Sequence, residues 1–264
     1  MALDHCPQEL IEFANRLADE SSYVVKRFFR SSFVVEDKDD NSPVTIADRK
    51  AEQILRVTIT QQRPDDGIIG EEFGVEKGDA NFVWVIDPID GTRAFAAGKP
   101  LFGTLIALLH KGTPVLGIID QPILGERWVG AVGWPTLFNG RECKTRDCLY
   151  MEEALANLGP QLFPFGNATT LDGYRRVAKA VQTTSVGGDC YSYGLLASGH
   201  IDLIIEQDLK IYDFAALVPI VEGAGGVMTD WQGERLTRNS KGQVLAVGNK
   251  ELWGKAVKLL EGAL

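Results

Sequence analysis

The sequence predicts a layered α/β fold in which helices cover two sheets. One observation is an amphipathic helical period at the start of the chain. A second is a series of short apolar runs separated by Gly, Pro and Asn, the pattern of a mainly antiparallel sheet. The third is a change in the second half to alternating helix-like and strand-like segments.

In order, a helix is predicted over 8–30, where Leu10, Ala14, Leu17, Val24, Val25 and Phe28 mostly recur at helical spacing. Ser42-Pro43 opens a second helical stretch with Ala47, Ala51, Ile54, Leu55 and Ile59 inward. Proline suits a first turn, where its missing N–H would lack a partner anyway. Strands follow at 67–70, 82–86, 104–109, 115–119 and 127–132, with Lys111-Gly112-Thr113-Pro114 as a hairpin turn. The second half reads as helix 172–181, strand 183–186, helix 191–197, strand 201–205 and helix 213–224. Strands at 226–229 and 244–247 precede a closing helix, 250–260. The stretch 139–167 carries the least pattern and reads as a join between two packed lobes, 1–145 and 146–264, of a single domain.

Composition bounds the function. Of 264 residues, 45% are hydrophobic and 24% charged, ample for a core. With 27 Lys+Arg against 36 Asp+Glu, the net charge of −9 argues against nucleic acid or an anionic membrane as partner. It suits a protein that binds divalent cations, although a solvated surface alone accounts for such acidity. Cys6, Cys143, Cys148 and Cys190 lack disulfide or zinc spacing and read as thiols of a reducing compartment. His5, His110 and His200 are scattered, and none reads as a ligand or base. Without a signal core or transit stretch, the expected compartment is the cytoplasm, or the plastid stroma if a transit peptide has been removed. No apolar run reaches membrane-spanning length.

Three acidic clusters carry the chemistry. They are Gly70-Glu71-Glu72, Asp87-Pro88-Ile89-Asp90-Gly91-Thr92 and Tyr212-Asp213-Phe214-Ala215-Ala216. The second leaves the carboxyl end of a buried strand, where ligands commonly bind in such sheets. Pro88 restricts Asp87 to an extended conformation, so a hard cation such as Mg²⁺ meets pre-set oxygen ligands. Gly91 permits close backbone approach, and a helix starting there offers N–H groups to a phosphate. Asp213 reads as a helix N-cap, as a metal ligand, or as both.

These clusters, together with Val44-Thr45-Ile46-Ala47-Asp48 and the distal Glu222-Gly223-Ala224-Gly225-Gly226, resemble the inositol monophosphatase superfamily, in order from residue 10 to residue 260. The resemblance implies a five-layer αβαβα sandwich, two or three Mg²⁺ ions per site, lithium inhibition and a homodimer. Position by position, it implies that Glu71, Asp87 and the Ile89 carbonyl hold one Mg²⁺. Asp87, Asp90 and Asp213 would hold a second, with Glu71 sharing in a third. Asp48, Thr92 and Glu71 are the implied catalytic residues: Thr92, hydrogen-bonded to Asp48, orients an attacking water. The backbone of Gly91 and Thr92 cradles the phosphate, beside Asp213. Such a site hydrolyses a small phosphorylated alcohol by direct water attack, without a Cys, Ser or His nucleophile.

The segments Arg93 to Ala107, Gly188-Asp189-Cys190-Tyr191-Ser192-Tyr193 and Lys210-Ile211-Tyr212-Asp213 are similar to histidinol-phosphate phosphatases of that superfamily, which act in histidine biosynthesis. Tyr212 stands where inositol monophosphatases usually carry Trp. Histidinol phosphate bears an ammonium and an imidazole, which Asp189 and Glu206 can pair through charge-assisted hydrogen bonds. Two plainer readings remain: Asp189 caps a helix beginning near Tyr191, and Glu206 is a solvated strand end. The alternatives in function are an inositol-1-monophosphatase or broad sugar phosphatase, and, from another class, a non-catalytic metal- or phosphate-binding homologue. Glu36-Asp37-Lys38-Asp39-Asp40-Asn41 reads as a solvated loop; the resemblance implies that it closes over the site, with Lys38 near a third metal. Phe28, Phe29, Trp84, Leu108 and Leu109 read as core or dimer interface.

Overall fold

Two periodicities build this molecule, and the elements appear in the order their side chains dictate. In the computed structural model the described residues are 3–31, 35–37, 43–159 and 168–262; Lys38, Asp39, Asp40 and Asn41 lie outside them. Helix α1 (Gln8–Phe28) buries Leu10, Phe13, Ala14, Leu17, Val24 and Val25 along one face. A ribbon of β1 (Val35–Asp37) and β2 (Pro43–Thr45) precedes α2 (Ile46–Gln62). Helix α2 therefore does not open at Pro43, as its sequence suggests. Pro43 pairs with Asp37 in the ribbon, and Thr45 takes the cap. Its hydroxyl accepts from the Ala47 N–H at 3.1 Å, while the Asp48 carboxylate accepts from the Thr45 N–H at 2.8 Å. Ile54, predicted inward, is 38% exposed.

The first sheet holds β3 (Gly67–Gly70), β4 (Gly74–Glu76), β5 (Phe82–Asp90), then, after a short α3 (Thr92–Ala96), β6 (Gly103–His110) and β7 (Thr113–Gln121). It is completed by β8 (Glu126–Ala131), β9 (Leu137–Phe138) and β10 (Arg141–Glu142). Spatial order is β10-β9-β8-β7-β6-β5-β3-β4, antiparallel except for the β3–β5 pair. The hairpin predicted at Lys111-Gly112 joins β6 to β7, with φ of 51° and 80° at those residues, as a left-handed two-residue turn requires.

The second sheet contains β11 (Leu155–Leu158), β12 (Thr183–Val186), β13 (Leu203–Glu206), β14 (Val227–Thr229) and β15 (Val244–Val247), in the order β12-β11-β13-β15-β14. Between these strands run α4 (Ala168–Ala180), α5 (Asp189–Ala197), α6 (Ile211–Phe214) and α7 (Leu217–Gly223), and α8 (Lys250–Leu260) closes the chain. Here the sequence misleads twice. Strand β11 lies inside 139–167, a stretch without strand pattern, because its alternation is broken by the buried amide of Asn157, which donates to the Gly187 carbonyl at 2.9 Å. And the single helix predicted over 213–224 is two helices, α6 and α7.

Strand alternation sorts side chains into layers. On β5, Val83 and Val85 enter the core between the sheets, whereas Trp84 and Ile86 face α1 and α2. On β15, Val244 and Ala246 enter that same central core, and Leu245 and Val247 face the opposite side with α8 residues Leu252, Ala256 and Leu260. Helices α5 and α7 lie between the sheets. The result is a five-layer αβαβα sandwich. Trp84, Leu108 and Leu109 are core; Phe29 packs partly buried against Phe95 and Phe102, and Phe28 lies partly buried against the same cluster. Close approach of α7 to the first sheet needs glycine beneath it: a Cβ on Gly117 would sit 1.9 Å from the Ala216 carbonyl oxygen.

Candidate active site

The site begins with an irregularity in β5. Asp87 pairs with Leu105, but Asp90 pairs with Gly103, so β5 carries one extra residue between them. In a regular strand, residues three apart face opposite sides; the extra residue reverses that parity and turns both carboxylates to one side. Pro88 sits in this bulge, where no ladder N–H is required of it, and its carbonyl accepts from the Thr104 hydroxyl at 2.8 Å. The Ile89 N–H donates to Asp87 Oδ1 at 3.0 Å, which fixes that side chain. Gly91, at φ 89°, then turns the chain into α3.

The other carboxylates arrive from separate elements. Glu71 follows β3, its N–H donating to the Ile86 carbonyl at 3.2 Å, and its side chain is hydrogen-bonded to Asp87. Asp213 lies in the first turn of α6 and accepts from the Lys210 N–H at 2.6 Å; it is the third helical residue and not the N-cap. Carboxylate oxygens of Asp87, Asp90 and Asp213 lie within 4.8 Å of one another. Asp48 sits behind them, buried at the start of α2; Thr92 donates to its Oδ1 at 3.5 Å and to the Ile89 carbonyl at 3.0 Å.

A cleft of about 510 Å³ opens over this cluster. Glu71, Asp90, Gly91, Thr92, Asp189, Glu206 and Asp213 all line it. Asp48, Asp87 and Ile89 are buried beneath it. Asp189 does not cap α5: it is the first helical residue, at φ 42°, without a side-chain cap. Glu206 is no solvated strand end either. It is 6% exposed and accepts from the Tyr193 hydroxyl at 2.8 Å.

Sequence reasoning missed several contributors. Arg93 and Lys99 bring cations to the cleft rim. Tyr193 could have been found from its spacing, four residues after Asp189 on one helix. Glu52, fully buried on α2, accepts from the Glu72 and Phe73 N–H groups at 2.7 and 3.1 Å and so fixes the turn that carries Glu71. Nothing local in the sequence marks that contact.

Electrostatics state which partner the cluster suits. Asp87 is held well above the usual carboxylate range by burial first, then by Glu71, Asp90 and Asp213. Asp90 is raised likewise by burial, with Asp189 and Asp213 adding to it. Burial pushes Asp213 up to about 7, against the Lys210 N–H bond, and Asp48 to about 6, against its bonds to Thr45. Burial also lifts Glu206 to about 8, opposed by Tyr193, and raises Asp189, opposed by Arg93. Desolvated like charges with converging oxygens match the donor set of a hard divalent cation.

Known proteins match this chain over most of its length. The inositol monophosphatase family profile covers residues 7–263. The chain is 47% identical to the bifunctional phosphatase IMPL2, chloroplastic, of Arabidopsis thaliana, over 96% of this chain and 76% of that protein. It is 35% identical to a histidinol-phosphatase of Chlorobaculum parvum, over 89% and 91%. Among solved structures, an inositol monophosphatase from Zymomonas mobilis superposes with a TM-score of 0.87 at 49% identity, over 96% of this chain and 98% of that one. The match runs through nearly the whole chain, which belongs to the inositol monophosphatase family of phosphatases.

Proposed function

We propose that this phosphatase hydrolyses histidinol phosphate to histidinol and phosphate, with Mg²⁺ as cofactor. The observation that carries the reading is that Asp189 and Glu206 line the same cleft as the carboxylate cluster. Two carboxyl groups lining the cleft, Asp189 beside Gly91 and Glu206 beside Tyr193, suit a substrate whose alcohol part is cationic, and a polyol would gain less from them. The histidinol-phosphatases among its relatives support the same choice.

In this reading Glu71, Asp87, Asp90, Asp213 and the Ile89 carbonyl hold two or three cations. When bound, a divalent cation lowers the pKa of water and offsets charge on the phosphoryl oxygens. The chain's own residues then do the positioning. Thr92 donates its single hydroxyl proton toward Asp48 or the Ile89 carbonyl, so its lone pair faces the cleft and accepts from the attacking water. Asp48, raised to about 6, is a competent acceptor for that water's proton. The backbone of Gly91 and Thr92 receives the phosphate. Cys190 lines the cleft, yet burial and the neighbouring Asp90 hold its thiol protonated, which favours direct attack by water over a covalent intermediate. We further take the chain to be one domain of two packed lobes, 1–145 and 146–264, acting as a homodimer in a reducing compartment. No helix among the described residues is long and apolar enough to cross a membrane.

A panel assay of phosphate release tests the reading: histidinol phosphate, inositol 1-phosphate, fructose 1,6-bisphosphate and glycerol 2-phosphate, with and without Mg²⁺. The expected result is Mg²⁺-dependent turnover with the highest kcat/KM for histidinol phosphate. A higher value for inositol phosphate would replace the substrate, and no turnover with any of them would leave a binding protein.

A further inference from the structure

On α5, Tyr193 follows Asp189 by four residues, so both project from one helix face, and both line the cleft. The ring of Tyr193 is packed in the central core at 1% exposure, which leaves its hydroxyl little freedom. That hydroxyl donates to Glu206 Oε2 at 2.8 Å. Glu206 ends β13, where its backbone is fixed by pairing with Val244. Its side chain has further rotatable bonds, and among the described residues the contact from Tyr193 is the hydrogen bond that holds it. The second oxygen, Oε1, has no hydrogen-bond partner among the described residues and is not sealed from solvent.

We propose that Tyr193 is a positioning residue for recognition of a cationic substrate group, holding Glu206 so that its second oxygen meets an ammonium or imidazolium in the cleft. This rests on the reading that Asp189 and Glu206 bind the cationic part of the substrate. Preorganisation supports it, since a fixed carboxylate loses less entropy on binding than a mobile one. Charge supports it as well: a hydrogen bond donated to the ionised form opposes the burial that pushes Glu206 toward neutrality.

The test is the ratio of kcat/KM for histidinol phosphate to kcat/KM for glycerol 2-phosphate, which has no cationic group. It is measured for the wild type, Tyr193→Phe, Glu206→Gln and the double variant, each with its melting temperature. Phenylalanine keeps the ring in the core, and Glu206→Gln probes the same contact from its other side. Tyr193→Phe is expected to lower the ratio about tenfold, mainly through KM for histidinol phosphate. The double variant should be no worse than Glu206→Gln alone, because the two residues act through one contact. Equal losses on both substrates, or single losses that multiply in the double variant, would overturn the role of Tyr193. A wild-type ratio near one would overturn the cation reading and this inference with it, whereas a high ratio unchanged in Tyr193→Phe sinks the inference alone.

Discussion

Asp90 joins two elements at the site. One carboxylate oxygen accepts from the Cys190 N–H at 2.6 Å, tying β5 to α5, while its oxygens also converge with those of Asp87 and Asp213. Replacing it by Asn keeps the shape and removes the charge. Turnover at saturating Mg²⁺ should fall by at least about a hundredfold, since even residues that only support metal ligands change activity by ten to a hundredfold. Calorimetric titration should find Mg²⁺ bound more weakly by the same variant. Near-normal turnover together with unchanged Mg²⁺ affinity would remove Asp90 from the site. Most of the site is legible at this scale, because Asp87, Asp90 and Thr92 fall in one short motif whose chemistry depends on residue type. Glu52 is not, because nothing in its own helix says that its carboxylate will meet the backbone of a turn twenty residues later.

At the scale of elements, α6 and α7 matter because they deliver Asp213 and because α7 lies directly on the first sheet. Gly117 on β7 permits that approach, with an added Cβ placed 1.9 Å from the Ala216 carbonyl oxygen. Gly117→Ala should destabilise the fold by about 1–3 kcal/mol in urea unfolding. It should also lower activity, since the helix that moves is continuous with the turn of Asp213. Gly254 in α8 has open space around its missing Cβ, so Gly254→Ala should stabilise by about 0.5–1 kcal/mol. A Gly117→Ala variant as stable as the wild type would show that α7 does not need that close approach, and a Gly254→Ala variant no more stable than the wild type would show that helix propensity does not limit α8. Strand positions follow from period and punctuation, and β12, β15 and α8 lie where those signals put them. Strand β11 does not, since four residues with a polar one among them carry too little pattern. The division of α6 from α7 falls where Pro219, in the first turn of α7, has no N–H to donate to the Ala215 carbonyl, a local signal that the single helix over 213–224 overlooked.

For the whole molecule, the raised carboxylates make a statement about stability. Asp213 moves from 3.8 to about 7 and Glu206 from 4.5 to about 8 on folding, and Asp87 and Asp90 rise as well. The folded state then binds more protons than the unfolded one across this range. Stability is full below the unfolded values and is lost as pH rises through the folded ones. In EDTA the melting temperature should therefore fall between pH 5 and pH 8, by roughly 5 °C or more. Mg²⁺ binds the deprotonated cluster and should restore what charge repulsion removes, so the gap between Mg²⁺ and EDTA melts should widen with pH. A gap that is constant or narrows from pH 5 to pH 8 would mean that these carboxylates are not where the cation binds.

The layers, most element positions and the residue types of the candidate site are legible in the chain alone, because alternation, helical spacing and a stiff acidic turn are local properties. The tertiary structure decided which distant groups meet. It set the parity of Asp87 and Asp90 through one extra residue in β5, the arrival of Asp213 across more than a hundred residues, and the pairing of Tyr193 with Glu206. Those outcomes depend on strand register and on the close packing of α5 and α7 between the sheets. Register and packing are settled only when the whole chain buries its apolar faces together.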